Sequence, residues 1–312
     1  LPWLHPLPGN TLAENRRAKR EAGRTVDGCF YSRVVETEAL LSDDFTGTYV
    51  ANEHTASPWN SGYQHGGPAA ALLARAASKL SVPIKNPLIN QVSVDLLAPL
   101  PLGAVAVSAR IVQEGKLSSL VEAEMSSVVG EQTLMRMSAW ITKRRESPLS
   151  HSHGAFRAPP PAGSPMHTPS HWDCGYLDAI DWQSVSGGLD LPGPGTVWAE
   201  PKVPLVDDEP AYGVPLLLLV ADAATGVSSF DDPQELMLIN TDLSLHVLRE
   251  PGVGPIWMSS ESWIDHAGIG LTSSVLGDSA GSLAAAHQST FVVDRESLGF
   301  SVDPHPHIQR DL

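Results

Sequence analysis

Hydrophobic and polar residues form two similar patterns along this chain, one in each half. Each pattern begins with a continuous apolar or alanine-rich segment and continues with stretches in which apolar and polar positions alternate. The first kind of segment predicts a helix, and the alternation predicts half-buried antiparallel strands. In the first half the predicted helix covers residues 68–80, and the predicted strands cover residues 90–97, 104–113, 120–127 and 133–143. In the second half the apolar segment covers residues 215–224, and the predicted strands cover residues 237–248, 256–265, 270–276 and 282–293.

The repeated order of elements predicts an internal duplication. Residues 91–98 and 242–249 also share a strand phase, and a proline turn follows each of them. We therefore predict an α+β protein of two repeats, each with a long helix packed on a curved antiparallel sheet. A segment rich in Pro, Ser and His between the halves is typical of a linker. The predicted division is an arm at 1–27, a first unit at 28–145, a linker at 146–170, a second unit at 171–295 and a tail at 296–312.

The start of the first predicted helix is the segment with the clearest chemical potential. His65, Gly66, Gly67 and Pro68 stand immediately before an alanine-rich run. Glycine allows a tight turn and a close approach to a ligand, and proline is favoured at the start of a helix. The unpaired N–H groups of such a turn can hold a carbonyl oxygen that becomes negative during a reaction. The alternative is a simple N-terminal turn on a buried helix.

Composition and charge narrow the class of protein. The chain has 312 residues, 42% of them hydrophobic, and a formal net charge of −15, which disfavours binding to nucleic acid or to an anionic membrane. No apolar run reaches the roughly 18 residues of a membrane-spanning helix. Cys29 and Cys174 do not form a disulfide framework or a metal spacing, so a cytoplasmic location is the simplest interpretation. We expect no metal and no cofactor.

Several motifs carry a resemblance to a known family. The sequence resembles acyl-CoA thioesterase II and the related thioesterase-like proteins, whose fold is the double hotdog. The resemblance covers about residues 40–145 and 195–295. The segments that carry it are 58–60, 65–75 and 94–103 in the first half, and 240–246, 257, 261–263, 276–278 and 287–289 in the second half.

This resemblance implies a set of site residues. In the family, an acid, a hydroxyl residue and a glutamine hold the water that attacks the thioester carbonyl, which implies Asp242, Ser262 and Gln288 here. A carboxylate can accept the proton of water, while a hydroxyl and an amide can orient it. The alternative for Ser262 is a structural role. The resemblance also implies that His65 and the N–H groups of Gly66 or Gly67 lie beside the thioester oxygen.

The function implied is hydrolysis of acyl-CoA, or of another acyl thioester, in lipid metabolism. The alternatives are a hydratase, dehydratase or cyclase acting on an acyl intermediate, and an acyl-binding module without catalysis. Open sheet edges favour a homodimer or a higher oligomer. Lys116, Arg110 and Arg136 are candidates for contacts with the phosphates of CoA.

Overall fold

The computed structural model describes residues 28–38, 44–146, 157–189, 191–228 and 236–294. The predicted arm at 1–27 and tail at 296–312 lie outside the described residues, as does the part of the predicted linker at 147–156. Within the described ranges, no helix is long and apolar enough to cross a membrane.

The described residues form one large antiparallel sheet and four helices. The strands are β1 (Tyr31–Glu38), β2 (Asp44–Ala51), β3 (Pro87–Leu96), β4 (Gly103–Gln113), β5 (Ser118–Ser127), β6 (Thr133–Lys143), β7 (Ser164–Pro165), β8 (Ile180–Gly188), β9 (Leu191–Pro201), β10 (Leu236–Asn240), β11 (Asp242–Val247), β12 (Ile256–Ile264), β13 (Ile269–Asp278) and β14 (Gly281–Asp294). The helices are α1 (Gly66–Ser78), α2 (Gly175–Asp178), α3 (Val214–Ala221) and α4 (Ala224–Val227). Short 3₁₀ turns cover Glu53–Thr55 and Ser170–Trp172.

The strand order has the symmetry expected of a duplicated chain. The sheet runs β1-β2-β4-β5-β6-β3-β11-β14-β13-β12-β9-β8-β7, and β10 also pairs with β14. Read outward from the centre, β3, β6, β5, β4, β2 and β1 correspond to β11, β14, β13, β12, β9 and β8. The two halves are joined where β3 pairs with β11, for example through Ser93 opposite Ser244.

The predicted strands are confirmed, and the structure adds several that the alternation did not indicate. The strands β1, β2, β8 and β9 were not predicted. The first half of β9 contains two prolines and two glycines, a composition typical of a turn. The strand predicted at 237–248 is divided into β10 and β11 at Thr241. The apolar segment at 215–224 gives only the eight-residue helix α3, which ends at Ala221. Part of the predicted linker joins the sheet, because β7 pairs with β8.

Helices α1 and α3 pack against each other in opposite directions. The start of α1 lies beside the end of α3, because a Cβ on Gly67 would be 2.6 Å from the carbonyl oxygen of Leu219. At the other end, Ser78 and Val214 line one depression. Small side chains allow this close approach, since α1 is buried from Gly67 to Ala77 and six of its positions are alanine. The two repeats therefore meet both through the sheet and through this helix pair.

Gly67→Ala is expected to destabilise the protein by about 1–3 kcal/mol, because the added methyl group overlaps the Leu219 backbone. The free energy of unfolding from urea titration measures the loss. Gly252→Ala is the control: a Cβ there meets only the Asp278 carboxylate, at 3.6 Å, so a change within about 0.5 kcal/mol is expected. Equal effects of the two substitutions would show that contact with α3 does not select glycine at position 67.

Candidate active site

The start of α1 is shaped by a carboxylate from the other repeat. His65 precedes the helix in an extended conformation, with φ −69° and ψ 145°. A Cβ on Gly66 would lie 2.8 Å from Oδ2 of Asp222 and 3.2 Å from a methyl carbon of Leu96. Neither Gly66 nor Gly67 has a positive φ. The glycine pair is therefore required by the close approach of α3 and Asp222, and not by a left-handed backbone.

Asp222 is the charged centre of this region. It follows α3 directly and is only 8% exposed. Its Oδ2 lies 2.8 Å from Nδ1 of His65, while its Oδ1 accepts hydrogen bonds from Nδ2 of Asn240 at 2.8 Å and Nε2 of Gln288 at 3.1 Å. Burial alone would raise the pKa of Asp222. The charge that His65 carries when its ring is protonated, together with hydrogen bonds from His65, Asn240 and the Gly67 backbone, more than offsets burial and holds this pKa below its usual value.

A β-bulge turns Asn240 toward Asp222. Asn240 is paired with Thr290 on β14. Four residues later, Ser244 is paired with His287, only three residues back along β14. One extra residue, Thr241, therefore lies between the two strand segments, which changes the side of the sheet to which later residues point.

The same bulge places Asp242, which was expected to hold the attacking water, on the other face of the sheet. Along β11 the buried residues are Leu243 and Leu245, which alternate with Asp242. Oδ1 of Asp242 accepts a hydrogen bond of 2.8 Å from the backbone N–H of Ser289, at an exposed position. Asp242 is therefore not brought to Gln288 and the start of α1.

Ser262 is brought near Gln288, but through other hydroxyl groups. The Thr225 hydroxyl donates to Oε1 of Gln288 at 3.3 Å and lies 3.1 Å from the Thr272 hydroxyl. The Thr272 hydroxyl is 2.7 Å from that of Ser262, which is 2.7 Å from that of Ser228. We call these four residues the hydroxyl row. Ser262, which was expected to help hold the water, is 2% exposed, and the hydroxyls of Thr225 and Thr272 stand between it and Gln288.

The hydroxyl row fixes the orientation of the Gln288 amide. Gln288 is only 1% exposed, so its polar atoms need partners inside the protein. Thr225 supplies a donor for the amide oxygen, and the Asp222 carboxylate accepts from the amide nitrogen. The amide group is thus held with its nitrogen toward the acid.

A cavity of about 400 Å³ opens in front of His65, Gly66 and Asp222. This volume is within the range typical of small-molecule sites, roughly 300–1,000 Å³. Most of its wall is apolar, and its polar lining includes His65, Asp222 and Asn240 beside the start of α1. Lining residues from both repeats include Trp59, Leu97, Leu100, Trp172, Leu177, Leu189, Met237, Ile239 and Phe291.

Aromatic side chains hold the wall of the cavity and the His65 ring. The imidazole of His65 stacks on Tyr176 with ring centres 3.8 Å apart and planes 10° apart. Tyr176 is itself fixed, since its hydroxyl donates a hydrogen bond of 2.7 Å to the carbonyl oxygen of Leu219. Trp59 and Trp172 meet edge to face at 5.0 Å. The His65 ring is therefore held at one edge by Asp222 and on one face by Tyr176.

Three of the residues implied by the sequence come together, and the carboxylate among them is a different one. His65, Gly66 and Gln288 surround Asp222. The sequence does contain a signal for Asp222, because it is the only charged residue between 214 and 227. A charge in such an apolar run is buried, and buried charges are paired.

Asn240 and Tyr176 had no comparable signal in the sequence. Asn240 depends on the bulge at Thr241, which alternation alone does not reveal. Tyr176 lies in the four-residue helix α2, which packs beside the 3₁₀ turn at Glu53–Thr55 only in the folded protein.

In the part of the chain that it describes, the structure forms no metal-binding group and brings none of the expected basic residues to the cavity. Among the residues that the structure describes, no three or more His, Cys, Asp or Glu side chains come together in a group that could hold a metal ion. Arg110 is paired with Glu122, and Arg136 with Glu124 at 3.0 Å. These two arginines, together with Lys116, are not among the residues that line the cavity.

Comparison with protein families gives two adjacent matches. Residues 55–142 match the family described as acyl-CoA thioesterase N-terminal domain. Residues 158–292 match the family described as acyl-CoA thioesterase C-terminal domain. Among curated proteins, no significant sequence match was found.

Comparison with solved structures shows the fold. A hot dog fold protein of unknown function from Alicyclobacillus acidocaldarius is similar with a TM-score of 0.63 and 15% identity, over 83% of this chain and 96% of the other. The tesB protein of Mycobacterium avium subsp. paratuberculosis is similar with a TM-score of 0.60 and 14% identity, over 84% and 95%. Acyl-CoA thioesterase II TesB2 of Mycobacterium marinum gives 0.57 and 15%, over 81% and 92%.

Proposed function

Because the chain belongs to the thioesterase II-like acyl-CoA thioesterases, hydrolases of the hotdog fold, we propose that it cleaves acyl-CoA thioesters by direct attack of water in the cavity beside Asp222. One observation carries this proposal. The apolar cavity is lined by His65, Gly66 and Asp222 at the start of a helix, and Gln288 supports Asp222 from behind. An apolar wall suits an acyl chain, and polar groups at its end suit the thioester.

The acyl group would lie among the apolar and aromatic side chains of both repeats. Trp59 and Trp172 form one part of this wall, and Phe291 with Met237 forms another. Contact with these groups removes the acyl chain from water, which is favourable by about 0.8 kcal/mol for each buried CH₂ group. Binding energy of this kind positions the thioester carbon at the polar end of the cavity.

The N–H group of Gly66 is the candidate to stabilise the oxyanion. Gly66 lines the cavity and occupies the first turn of α1, where N–H groups have no partner within the helix. The N–H of Gly67 is directed toward His65 and Asp222, and Pro68 has no N–H. The macrodipole of α1 adds a favourable contribution of up to about 2 kcal/mol for a negative charge in a partly buried site.

Water is the proposed nucleophile, and two of the hydroxyl groups at the cavity already have other partners. The Ser57 hydroxyl donates to the carbonyl oxygen of Asn60 at 3.2 Å, and the Thr225 hydroxyl contacts Gln288 and Thr272. His65, which lines the cavity and is held by Asp222, remains to orient a water molecule. We accordingly assign Gln288 a place in the site, with Asp222 in the position first given to Asp242.

The proposed organisation of the molecule follows the duplication. We propose two hotdog units at 28–145 and 171–295, each with its helix on the concave face of its part of the sheet, and a site formed between them. A cytoplasmic enzyme of lipid metabolism, assembled as a homodimer or higher oligomer, remains our expectation.

Incubation of the purified protein with acyl-CoAs of graded chain length tests the function. We expect release of free thiol, followed with a thiol-reactive dye, and a rate that depends on the length of the acyl chain because the cavity is finite. The corresponding acyl-amide analogues of CoA should bind without thiol release. Binding of acyl-CoA with no hydrolysis at any chain length would favour a non-hydrolytic acyl-binding module and overturn the proposal.

A further inference from the structure

We propose that Nε2 of His65 is the atom that accepts the proton of the attacking water, and that Asp222 acts through His65 as a positioning residue. This inference rests on the proposed thioesterase function and specifies which atom serves as the general base. It is argued from the hydrogen bonds of Asp222, the proton on His65 and the position of the imidazole ring.

The Asp222 carboxylate has no free lone pair with which to accept a further proton. Its Oδ1 accepts from Asn240 and from Gln288, and its Oδ2 lies 2.8 Å from Nδ1 of His65. The backbone N–H of Gly67 lies 3.3 Å from Nδ1 of His65 and also lowers the pKa of Asp222, so it is a fourth donor to the carboxylate when Nδ1 carries a hydrogen. Since a carboxylate offers about four acceptor positions, these donors fill it. A water molecule would have to displace one of them to reach Asp222.

The contact with Asp222 determines which nitrogen of His65 carries the proton. Asp222 is ionised, because its hydrogen bonds hold its pKa below the usual value. Nδ1 has two neighbours, the Gly67 N–H at 3.3 Å and Oδ2 of Asp222 at 2.8 Å. The shorter contact, to a carboxylate oxygen that can only accept, requires a hydrogen on Nδ1, and the Gly67 N–H then donates to the carboxylate instead. In the neutral imidazole, the lone pair is then on Nε2.

The ring is held so that this lone pair has access to the cavity. The edge with Nδ1 is taken by Asp222, and one face is taken by Tyr176. His65 lines the cavity, and its side chain is 13% exposed. In the part of the chain that the structure describes, no protein group hydrogen-bonds to Nε2. The titratable groups that face the ring there are Asp222 from the end of α3 and Tyr176 from α2, and burial raises the pKa of Tyr176, which stays neutral.

In the proposed reaction, His65 takes one proton from water and later gives it to the leaving sulfur. As the oxygen of water bonds to the thioester carbon, its proton moves to Nε2 and the carbonyl oxygen becomes negative beside Gly66. When this intermediate collapses, the C–S bond breaks and its electrons go to sulfur. The imidazolium then gives its proton to the sulfur, which yields the free thiol and the acid. Neutral imidazole is restored, and no covalent bond to the protein forms.

His65→Asn provides the test, because the asparagine amide keeps a donor near Asp222 but has no group at the position of Nε2. We expect kcat to fall by about 10²- to 10⁴-fold with KM nearly unchanged. The loss of activity on the acid side of the pH–rate profile, which protonation of the imidazole produces, should disappear. Imidazole in the buffer should restore part of the activity of His65→Ala. His246→Asn, on the exposed face of β11, is the control and should behave as wild type.

A variant that keeps kcat within about threefold of wild type and retains the acid limb would overturn the role of His65. A second measurement separates this outcome from failure of the proposed function. In protein labelled with ¹⁵N-histidine, NMR should show His65 with its proton on Nδ1, whether or not any acyl-CoA is hydrolysed. A proton on Nε2 instead would contradict the inference independently of activity, whereas the expected tautomer without thiol release would contradict only the proposed reaction.

Discussion

Asp222→Asn is expected to lower kcat for acyl-CoA hydrolysis by about 10³-fold or more, with a much smaller change in KM. The substituted amide can still accept hydrogen bonds from Asn240 and Gln288 through its oxygen. Its NH₂ group, however, then faces Nδ1 of His65 and donates to it, which moves the imidazole proton to Nε2. Steady-state thiol release over a range of pH measures this loss.

Asp242→Asn is the matched control for this prediction. The amide oxygen of asparagine can accept the same hydrogen bond from the Ser289 backbone, so the fold should be unchanged. The kcat of this variant should remain within about threefold of the wild-type value. Circular dichroism and thermal unfolding of both variants establish that each is folded. A large loss of activity in Asp242→Asn with none in Asp222→Asn would return the catalytic assignment to Asp242.

Arg75→Met should cost about 3 kcal/mol of stability, because it breaks a buried ion pair. Arg75 is 5% exposed within α1, and its guanidinium binds Glu36 at 2.8 Å and Glu209 at 2.9 Å. Without it, the Glu36 carboxylate stays buried with the Tyr49 hydroxyl and with Arg33, which lies 3.1 Å away. Because Arg33 offsets part of the loss, we expect the lower end of the range for a broken buried ion pair.

Urea unfolding of wild type and variant measures this difference, and its pH dependence has a defined sign. Burial of Glu36 would raise its pKa, but Tyr49 and Arg75 lower it overall. A carboxyl with a lowered pKa in the folded state contributes stability above its ordinary pKa, near about 4.3, and this contribution is lost as the pH falls. The gap between wild type and Arg75→Met should therefore narrow in acid.

Arg110→Met is the control for the buried pair. Arg110 and Glu122 form an ion pair whose side chains are 60% and 44% exposed, so its removal should change stability by no more than about 1 kcal/mol. Equal losses in the Arg75 and Arg110 variants would contradict the explanation based on burial.

The sequence predicts the regularly alternating strands and the alanine-rich helix, because the hydrophobic positions in each element follow a single pattern. The pairing of β3 with β11, which makes a single sheet of both repeats, could not be predicted from that pattern. Alternation also failed locally at Thr241, where one extra residue changes the face of the sheet. For this reason Asn240, and not Asp242, reaches Asp222.

Two parts of the candidate site could be predicted from the sequence, namely the turn at Gly66 and the residue Gln288. The sequence around Gly66 indicated a place where something approaches closely, but the approaching group is a carboxylate more than 150 positions later in the chain. Which of several acids in the second repeat reaches the turn depends on how α3 packs on α1. That packing follows from the small side chains of α1 together with the leucines of α3, and neither helix specifies it alone.

The opposite directions of α1 and α3 have an electrostatic consequence for Asp222. A carboxylate at the end of its own helix α3 faces the negative end of that helix dipole, which disfavours ionisation. The same carboxylate lies over the first turn of α1, the positive end of a longer helix in the other repeat. The dipole of α1, in the opposite repeat, therefore offsets the unfavourable dipole of α3 at Asp222. In an isolated second repeat, Asp222 would be exposed only to the negative end of α3, and its ionised form would be less stable.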